Sequence, residues 1–455
     1  QMMNLFCWHA NKFKCCGITL CKVKNTAKGV RVYLLGIPLC VVRTKLSQFF
    51  TEVKNNRDFD VRRFDAQISE MVAGQKTVKC RSDKHKIAFL ATALYDMGGH
   101  TKCIRDLAMS LSDCYEEALF LTRMTETMKK APETVCVLKQ YLTIINADIS
   151  SWSFRKKVTA FANNIIRYGM KTLLVYIHPD DVFGTAVLSL IKRMTSVKII
   201  YFNHASHFPC LGMSFADIIL EGMPSTKKIT EEKRHFNNCC VVGLQSLNKN
   251  DTVYFADEKK QSEKAKLGVN SGELVTMSGG SSYKFFDENG SEYFEMIKRL
   301  LQKEPLLKHI VISEFNSEQK AVIDRIFALN AEAKKRLIFV PYRPDFDILF
   351  QCADVFIDSF PVSSALTQID LMRNKIASVV KINRDKPEFS FHEYQMPDYP
   401  YMFEDVKDME KAICELLYDE NKRKEIIEKN YRYWLSTYES SVVRDKYVEI
   451  IEGDR

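Results

Sequence analysis

The chain has 455 residues, of which 46% are hydrophobic and 27% are charged. These proportions are ordinary for a folded globular protein, and the length allows two or three domains with a large core. The 66 basic residues outnumber the 57 acidic ones, for a net charge of +9, but they are spread widely. We find no basic stripe interleaved with aromatic residues and no recognised nucleic-acid module, so we do not expect nucleic-acid binding.

The fourteen cysteines do not follow the pattern of a disulfide framework or of a zinc site. A chain of this size needs no disulfides, and the adjacent pairs Cys15–Cys16 and Cys239–Cys240 are poorly suited to bridges. The sequence contains no C-x-x-C motif, and we expect reduced core thiols in a cytoplasmic protein. We also find no signal peptide and no apolar run of about 18 residues, so we expect neither a membrane span nor export by the usual route.

The N-terminal segment combines basic and apolar residues. Up to Arg43 it contains lysines and arginines but no acidic residue, and it holds a near-repeat, GITLCKV at 17–23 and GIPLCVV at 36–42. One interpretation is peripheral contact with an anionic membrane surface, where each cation contributes about 1 kcal/mol. The other interpretation is a small antiparallel β element packed on the body of the protein.

Residues 87–94 (IAFLATAL) predict a buried strand, which runs into Gly98-Gly99-His100 and a helix ending near Leu111. A strand, a glycine turn and a helix open a Rossmann-like domain, since glycine permits close approach of the backbone. The full G-x-G-x-x-G fingerprint is missing, so we do not expect a nicotinamide cofactor. Further strands are predicted at 119–122, 134–138, 172–178, 197–204, 309–313 and 336–340, with helices between them.

Two of these strands end in histidine, at His178 and His204, and His207 follows three residues later. Functional groups in open α/β sheets gather at the carboxyl ends of strands, and histidine can act as a general base near neutral pH. We therefore interpret His204 and His207 as candidates for removing a proton from a hydroxyl or holding a phosphate. Asp217 and Glu221 are alternatives. A structural role for each histidine stays open, above all for His178.

Two segments in the second half of the chain predict one phosphate site. Residues 274–285 (LVTMSGGSSYKF) comprise a strand, a Gly/Ser turn and Lys284, and residues 357–372 (IDSFPVSSALTQIDLM) comprise a strand end, a small polar loop and a helix with Asp370. A helix start exposes unpaired N–H groups and the positive end of the helix dipole, which suits phosphate. Lysine suits a pyrophosphate, and an acid inside such a helix can bind a ribose hydroxyl.

The order of GGSSYKF (279–285) and FVPYRPDFDILFQCADVFIDSFPVSSALTQIDLM (339–372) resembles the donor half of GT-B glycosyltransferases. The likeness is greatest to the protein O-linked N-acetylglucosamine transferases and their bacterial relatives, over about residues 270–380. The Gly-Ile-Pro-Leu segment is similar to segments of bacterial lipopolysaccharide and capsule glycosyltransferases. The resemblance implies an α/β GT-B fold, with two Rossmann-like domains facing across a cleft, a small N-terminal β element and C-terminal helices that pack on the body.

The resemblance also implies roles for donor-side residues. Lys284 contacts the diphosphate of a nucleotide sugar, and Asp370 binds the ribose. The phosphate loop consists of Ser363, Ser364, Ala365, Leu366 and Thr367, and the turn before the lysine contributes Gly279, Gly280 and Tyr283. Ser364 and Ala365 stand where glycine and histidine are usual, so phosphate contact at those two positions rests on backbone N–H groups.

On the acceptor side, the resemblance places a loop of four residues in the cleft, namely Gly98, Gly99, His100 and Thr101. His100 and Thr101 are expected near the transferred sugar. Asp345-Phe-Asp347 and Asp180-Asp181 look like the metal-binding D-x-D of another glycosyltransferase fold, but acids are also expected at helix starts. In a GT-B site a lysine, loop amides and a helix dipole offset the charge of the leaving diphosphate. We therefore expect metal-independent transfer without a cofactor.

We expect an N-terminal extension at 1–84, an acceptor domain at 85–265, a donor domain at 266–425 and packing helices at 426–455, with a linker around 246–272. The predicted activity is transfer of a hexosyl or N-acetylhexosaminyl group from a UDP-linked sugar to a hydroxyl of a glycan, a lipid-linked glycan or a protein, in bacterial cell-surface glycan biosynthesis. A GT-B sugar-nucleotide 2-epimerase and a non-catalytic nucleotide-binding scaffold are alternatives. Inversion or retention of the anomeric configuration stays open.

Overall fold

Three β-sheets organise the chain. The computed structural model describes residues 6–9, 12–15, 18–26, 29–34, 37–42, 45–96, 98–145, 153–244, 254–288, 290–343 and 346–453, with side chains from residue 48 onward. Asp345 of the considered D-x-D motif and residues 246–253 of the expected linker lie outside these ranges. Within the described ranges, none of the helices is both long and apolar enough to cross a bilayer.

The N-terminal sheet is antiparallel, and each of its five strands pairs with the next one in sequence. The strands are β1 (Phe6–His9), β2 (Lys12–Cys15), β3 (Ile18–Thr26), β4 (Gly29–Leu34) and β5 (Ile37–Val42). The two copies of the near-repeat fall on β3 and β5. The predicted small antiparallel β element is therefore confirmed. Helix α1 (Lys45–Asn55) follows it.

A seven-stranded parallel sheet comes next, in the order β12-β11-β10-β9-β6-β7-β8. Its strands are β6 (Asp83–Ala91), β7 (Glu116–Leu121), β8 (Thr143–Ile145), β9 (Met170–Tyr176), β10 (Lys198–Phe202), β11 (Ile218–Glu221) and β12 (Cys239–Val241). From β6 the chain continues outward through β7 to β8, and from β9 it continues outward on the opposite side through β10 and β11 to β12. The crevice at this switch point is where ligands bind in open α/β sheets.

Helices cover both faces of this sheet. They are α2 (Arg62–Met71), α3 (Gly99–Leu111), α4 (Met124–Lys130), α5 (Pro132–Leu138), α6 (Phe154–Tyr168), α7 (Val182–Met194) and α8 (Pro224–Glu232). Side chains of β6 alternate between the two faces, as the period of a strand requires. Ala88 and Leu90 lie in the buried cluster that includes Phe64 of α2, whereas Ile87 and Phe89 lie in the cluster that includes Leu107 of α3.

The strand predicted at 134–138 is wrong, because these residues form α5. Pro132 stands in the first turn, where its fixed φ suits a helix and its missing N–H is no loss. The Asp96 carboxylate accepts a hydrogen bond from the Thr134 backbone N–H at 2.8 Å, so the helix start is also capped from outside. These two features override the strand preference of the β-branched residues in this segment. The edge of the sheet is formed instead by β8, which we did not predict.

The third sheet has six parallel strands in the order β15-β14-β13-β16-β17-β18. They are β13 (Leu274–Gly279), β14 (Leu307–Ile312), β15 (Leu337–Val340), β16 (Val355–Ile357), β17 (Ser378–Lys381) and β18 (Met402–Phe403). β13 and β16 are adjacent, with Thr276 opposite Val355. Lys284 follows β13 and the Ser-rich loop follows β16, so the two segments of the predicted phosphate site emerge side by side.

The helices of the second half are α9 (Asp257–Lys266), α10 (Glu292–Lys303), α11 (Ser317–Ile326), α12 (Ala331–Lys335), α13 (Phe346–Phe350), α14 (Leu366–Arg373), α15 (Val406–Tyr418), α16 (Glu420–Thr437) and α17 (Ser440–Glu452). α9 lies within the expected linker. α17 returns to the first parallel sheet, where the Tyr447 hydroxyl lies 3.3 Å from that of Tyr176. Lys198 of β10 donates to the carbonyl of Ile450 at 2.6 Å. The C-terminal helices therefore pack on the body, as predicted.

Candidate functional site

A cleft of about 600 Å³ lies between the carboxyl edges of the two parallel sheets. Of the three cleft histidines and the residues that the resemblance assigned to the donor site and the acceptor-side loop, all but Ser363 line it. The first-sheet side contributes Gly98, Gly99, His100, Thr101, His204 and His207, and the second contributes Gly279, Gly280, Tyr283, Lys284, Ser364, Ala365, Leu366, Thr367 and Asp370. Ser363 does not line the cleft. It is 2% exposed, and its carbonyl oxygen accepts a hydrogen bond from Lys284 Nζ.

Lys284 lies in a short 3₁₀ turn (Ser282–Phe285) and extends to the loop after β16. Its Nζ donates to the Ser363 carbonyl at 3.0 Å. A Cβ atom on Gly280 would lie 3.3 Å from Lys284 Cδ, so glycine leaves room for the lysine stem. Burial lowers the pKa of Lys284, while the nearby Asp358 carboxylate acts to raise it.

The loop after β16 is fixed by the buried Asp358. Its carboxylate accepts hydrogen bonds from the Ser364 backbone N–H at 3.1 Å, from the Ser364 hydroxyl, and from Gln368 Nε2 at 3.0 Å. Gln368 also donates to the Ser364 carbonyl at 2.7 Å. Burial raises the pKa of Asp358 to about 6, although the bonds from Ser364 oppose this. The serine that replaces the usual glycine therefore holds the loop through its hydroxyl.

Asp370 lies one turn inside α14. Both of its carboxylate oxygens accept from Lys102 Nζ of α3, at 2.7 and 2.8 Å, so an ion pair spans the cleft. Arg373 Nη2 lies 3.7 Å from Asp370 and pairs with Asp347 at 2.5 Å. Sequence reasoning missed Lys102 and Arg373, because nothing in a predicted helix start shows that one of its lysines reaches the opposite domain.

Three histidines meet at the carboxyl edge of the first parallel sheet. The ring centroids of His100 and His204 are 4.1 Å apart, and that of His178 lies 5.4 Å from His100. His100 Nε2 lies 2.8 Å from the Tyr176 carbonyl oxygen. Because a carbonyl only accepts, Nε2 carries the proton and the neutral ring has its lone pair on Nδ1. Burial lowers the pKa of His100 to about 4 and that of His204 well below its usual value.

His207 packs in an aromatic environment at the same cleft. Its ring centroid lies 4.3 Å from that of Phe208 and 5.9 Å from that of Phe389. Burial lowers its pKa to about 4, and the positive charge of Lys284 contributes. Within the described part of the chain, the Nδ1 atoms of His100, His204 and His207 are buried and have no hydrogen-bond partner. A neutral ring has a lone pair that can accept a proton, and the same burial that keeps the ring neutral makes it a weaker base than an exposed histidine.

Arg234 positions the loop that carries His207, and sequence reasoning missed it. It is fully buried, and its Nη2 donates to the carbonyls of Ser206 at 2.6 Å and Phe208 at 3.1 Å. The guanidinium also lies over the ring of Phe59, 4.6 Å from its centroid. A lone arginine after a short helix carries no sequence signal for such a role.

The remaining candidates have other contacts. The Thr101 hydroxyl accepts from the Tyr95 backbone N–H at 2.9 Å and so holds the turn before α3. Asp217 pairs with Lys192 at 2.6 Å, and Glu221 accepts from Asn203 at 2.9 Å. Burial raises the pKa of Glu221 to about 7. Neither Asp217 nor Glu221 is among the residues that line the cleft.

Two of the acids considered as metal ligands, Asp181 and Asp347, have other partners. Asp181 caps α7 by accepting from the Gly184 N–H at 2.9 Å, and it also accepts from the hydroxyls of Thr92 and Thr122, both at 2.6 Å. Asp347 pairs with Arg373. Across the described ranges, no group of three or more His, Cys, Asp or Glu side chains is arranged to hold a metal ion.

No model of a known protein family matches the chain, and no curated protein matches it in sequence. Solved structures do resemble it in fold. HepE of Anabaena, in complex with UDP and glucose, has a TM-score of 0.63 at 14% identity, over 81% of this chain and 100% of its own. A glycosyltransferase from Rickettsia africae has a TM-score of 0.64 at 12% identity, over 81% and 98%.

An O-GlcNAc transferase from Thermobaculum terrenum has a TM-score of 0.56 at 11% identity, over 88% of this chain and 75% of its own. At these identities the likeness concerns architecture, and it agrees with the two parallel sheets and the cleft between them. The chain therefore has the GT-B fold of these glycosyltransferases, with two Rossmann-like domains facing across a cleft, as the resemblance predicted.

Proposed function

We propose that the protein is a glycosyltransferase that moves a hexosyl or N-acetylhexosaminyl group from a UDP-linked sugar to a hydroxyl of a glycan, a lipid-linked glycan or a protein. One observation carries the proposal. A single cleft has Lys284 and the N-terminus of α14 on one wall and neutral histidines on the other. This is the combination that transfer of a sugar from a nucleoside diphosphate to a hydroxyl needs.

The donor wall can hold a nucleoside diphosphate. Ala365, Leu366 and Thr367 line the cleft at the start of α14, where backbone N–H groups and the helix dipole favour an anion. Lys284 adds a positive charge beside them. Thr367 and Asp370 are three residues apart on the same helix and therefore share a face, about one turn from each other. This spacing suits a diphosphate at the helix start and a ribose at Asp370.

The opposite wall can activate an acceptor. In the proposed step, the acceptor hydroxyl passes its proton to a ring nitrogen of a cleft histidine as its oxygen forms a bond to the anomeric carbon. The bond from that carbon to the phosphate oxygen breaks, and the nucleoside diphosphate leaves with the electron pair. His100 and His204 are the candidates for the base, with His207 as the third.

We also propose that the transfer of the sugar needs no metal ion. Lys284 and the N-terminus of α14 are placed to offset the negative charge that develops on the leaving diphosphate. Turnover should therefore be unchanged by a chelator such as EDTA and should not rise when Mg²⁺ or Mn²⁺ is added. Loss of activity on chelation, restored by one of these ions, would contradict this part of the proposal.

A hydrolysis screen across nucleotide sugars tests the function, because slow attack by water reveals the donor even when the acceptor is missing. We expect release of UDP from at least one UDP-sugar, and loss of that release in Lys284→Ala. Conversion of the donor to its epimer, without release of nucleotide, would favour the 2-epimerase. The absence of any bound nucleoside diphosphate in calorimetric titrations would contradict both enzyme hypotheses and the scaffold hypothesis.

Binding of the protein to membranes gives a second test. If the acceptor is lipid-linked, the N-terminal sheet is the part of the protein we propose to contact the membrane, because its sequence is basic and lacks acidic residues up to Arg43. Co-sedimentation with vesicles that contain anionic lipid, but not with neutral vesicles, is the expected result. Equal binding to both kinds of vesicle, or to neither, would remove membrane contact from the proposal.

A further inference from the structure

We infer that Lys102 is a second cation for the donor, contributed by the acceptor domain, and that it exchanges Asp370 for the diphosphate when the donor binds. The inference rests on the proposed function. It begins from the ion pair between Lys102 Nζ and the two oxygens of Asp370, at 2.7 and 2.8 Å. The two side chains are 23% and 15% exposed, so solvent screens the pair only in part.

The pair lies where the two domains touch. Lys102 is in the first turn of α3, and Asp370 is on α14 of the opposite domain. A Cβ atom on Gly99, the first residue of α3, would lie 3.1 Å from Leu366 Cδ1 at the start of α14. Two independent contacts therefore bring the N-termini of these helices together, and both helices line the cleft.

The ion pair and the proposed ribose contact compete for the same carboxylate. The ammonium group spans both carboxylate oxygens of Asp370, and a ribose diol that hydrogen-bonds to both oxygens from the same side needs the position that Nζ occupies. A donor bound in this way displaces Lys102 Nζ. Asp370 keeps a cation nearby after the exchange, because Arg373 Nη2 lies 3.7 Å away and is itself held by Asp347.

The diphosphate would lie close enough to become the new partner of the displaced ammonium group. A diphosphate at the N-terminus of α14 would lie about one helical turn, roughly 5.4 Å, from Asp370. The lysine side chain is long and flexible enough to cover that distance without movement of α3. Lys102 would then face Lys284 across the diphosphate, with one cation from each domain. A nucleoside without phosphates would break the ion pair and gain no new contact for Lys102.

The inference therefore predicts how Lys102→Met changes two affinities. We expect uridine to bind more tightly to the variant, because binding no longer breaks an ion pair between Lys102 and Asp370, whereas UDP loses one cation. The ratio of the uridine Kd to the UDP Kd, measured by calorimetry on the full chain, should fall by more than about threefold, as charge-assisted contacts to phosphate are among the stronger ones. A ratio that changes by less than this would overturn the inference.

Two further variants keep the result interpretable. Lys102→Arg retains a cation that can serve both a carboxylate and a phosphate, so its ratio should not show the fall expected for Lys102→Met. Lys192→Met removes a lysine that pairs with Asp217 at 2.6 Å outside the cleft, and it should change neither affinity. Equal ratios in Lys102→Met and Lys192→Met would assign the cross-cleft ion pair a role in domain packing alone.

Failure of the inference can be separated from failure of the proposed function. If Lys284→Ala loses UDP binding while Lys102→Met leaves the ratio unchanged, the donor site stands and the exchange of Lys102 is wrong. If the unmodified protein binds no UDP, or if Lys284→Ala leaves UDP binding unchanged, the proposed donor site is wrong, and the inference is wrong with it.

Discussion

Lys284 Nζ donates a hydrogen bond to the carbonyl oxygen of Ser363 at 3.0 Å, and this bond joins the ends of two adjacent strands before any ligand binds. The lysine follows β13 and the serine follows β16. Preorganised positive charge is effective in a partly buried site, because little rearrangement is needed as charge develops. The proposed donor site depends on this hydrogen bond between the ends of the two strands.

Replacing Ser364 by alanine should weaken the loop that carries the phosphate contacts. The serine hydroxyl bonds to the buried Asp358 carboxylate, and a hydrogen bond to a charged group contributes about 1.5–3 kcal/mol. We expect a lower free energy of unfolding and weaker UDP binding, by about tenfold, in calorimetric titrations. Ser317→Ala, at an exposed position outside the cleft, is the control and should leave UDP affinity unchanged. Unchanged binding in Ser364→Ala would show that the loop does not need this bond.

Replacing the proton-accepting histidine should lower kcat and leave donor affinity intact. Loss of a general base typically lowers the rate by about 10²–10⁴-fold. We expect this loss in either His100→Gln or His204→Gln, with UDP Kd within about twofold of the unmodified protein, because neither ring lies on the donor wall. His178→Gln is the control, since His178 contacts the cluster but does not line the cleft. Full activity in both cleft variants would assign the base to His207 or to another group.

The histidines also predict a dependence of stability on pH. Burial holds the pKa of His207 near 4 in the folded protein, below its ordinary value of 6.5. The unfolded chain therefore binds the proton first as the pH falls, and the folded state loses stability between about pH 6.5 and pH 4. The free energy of unfolding of the unmodified protein should fall relative to that of His207→Gln over this window, by about 2 kcal/mol, in urea titrations. If the unfolding free energies of the two proteins changed equally with pH, the low pKa of His207 would be contradicted.

Replacing Arg234 by alanine should destabilise the protein. The change leaves the carbonyls of Ser206 and Phe208 without their donor in a buried environment and opens a cavity, for a loss of about 3–5 kcal/mol in the free energy of unfolding. Thermal unfolding would show a lower Tm. Arg432→Ala, at an exposed position on α16, should cost less than about 0.5 kcal/mol. Similar effects of the two substitutions would contradict the role of Arg234.

The sequence predicted the elements whose local signals agree with one another. The helix predicted between the strands at 172–178 and 197–204 is an example, since α7 (Val182–Met194) has a capping acid, an apolar face and basic residues in its last turn. The pairing of Lys284 with the Ser-rich loop was also predictable, because both follow apolar strands and the carboxyl ends of parallel strands meet at one edge. α5 was missed because a proline and an external cap override strand propensity.

The long-range contacts around the cleft could not be predicted in the same way. Lys102 and Asp370 are 268 residues apart, and Arg234 acts through carbonyls of a loop that lies more than 20 residues before it. No period, cap or turn signal specifies such contacts. They depend on how the two domains and their loops pack, which is a property of the whole chain.

The most direct test is calorimetric titration of UDP into the unmodified protein, Lys284→Ala and Lys192→Met. We expect Lys284→Ala to raise the Kd of UDP by at least about tenfold and Lys192→Met to leave it unchanged, since only the first lysine adjoins the phosphate loop. Equal UDP affinity in all three proteins would contradict the claim that the ends of β13 and β16 together bind one diphosphate.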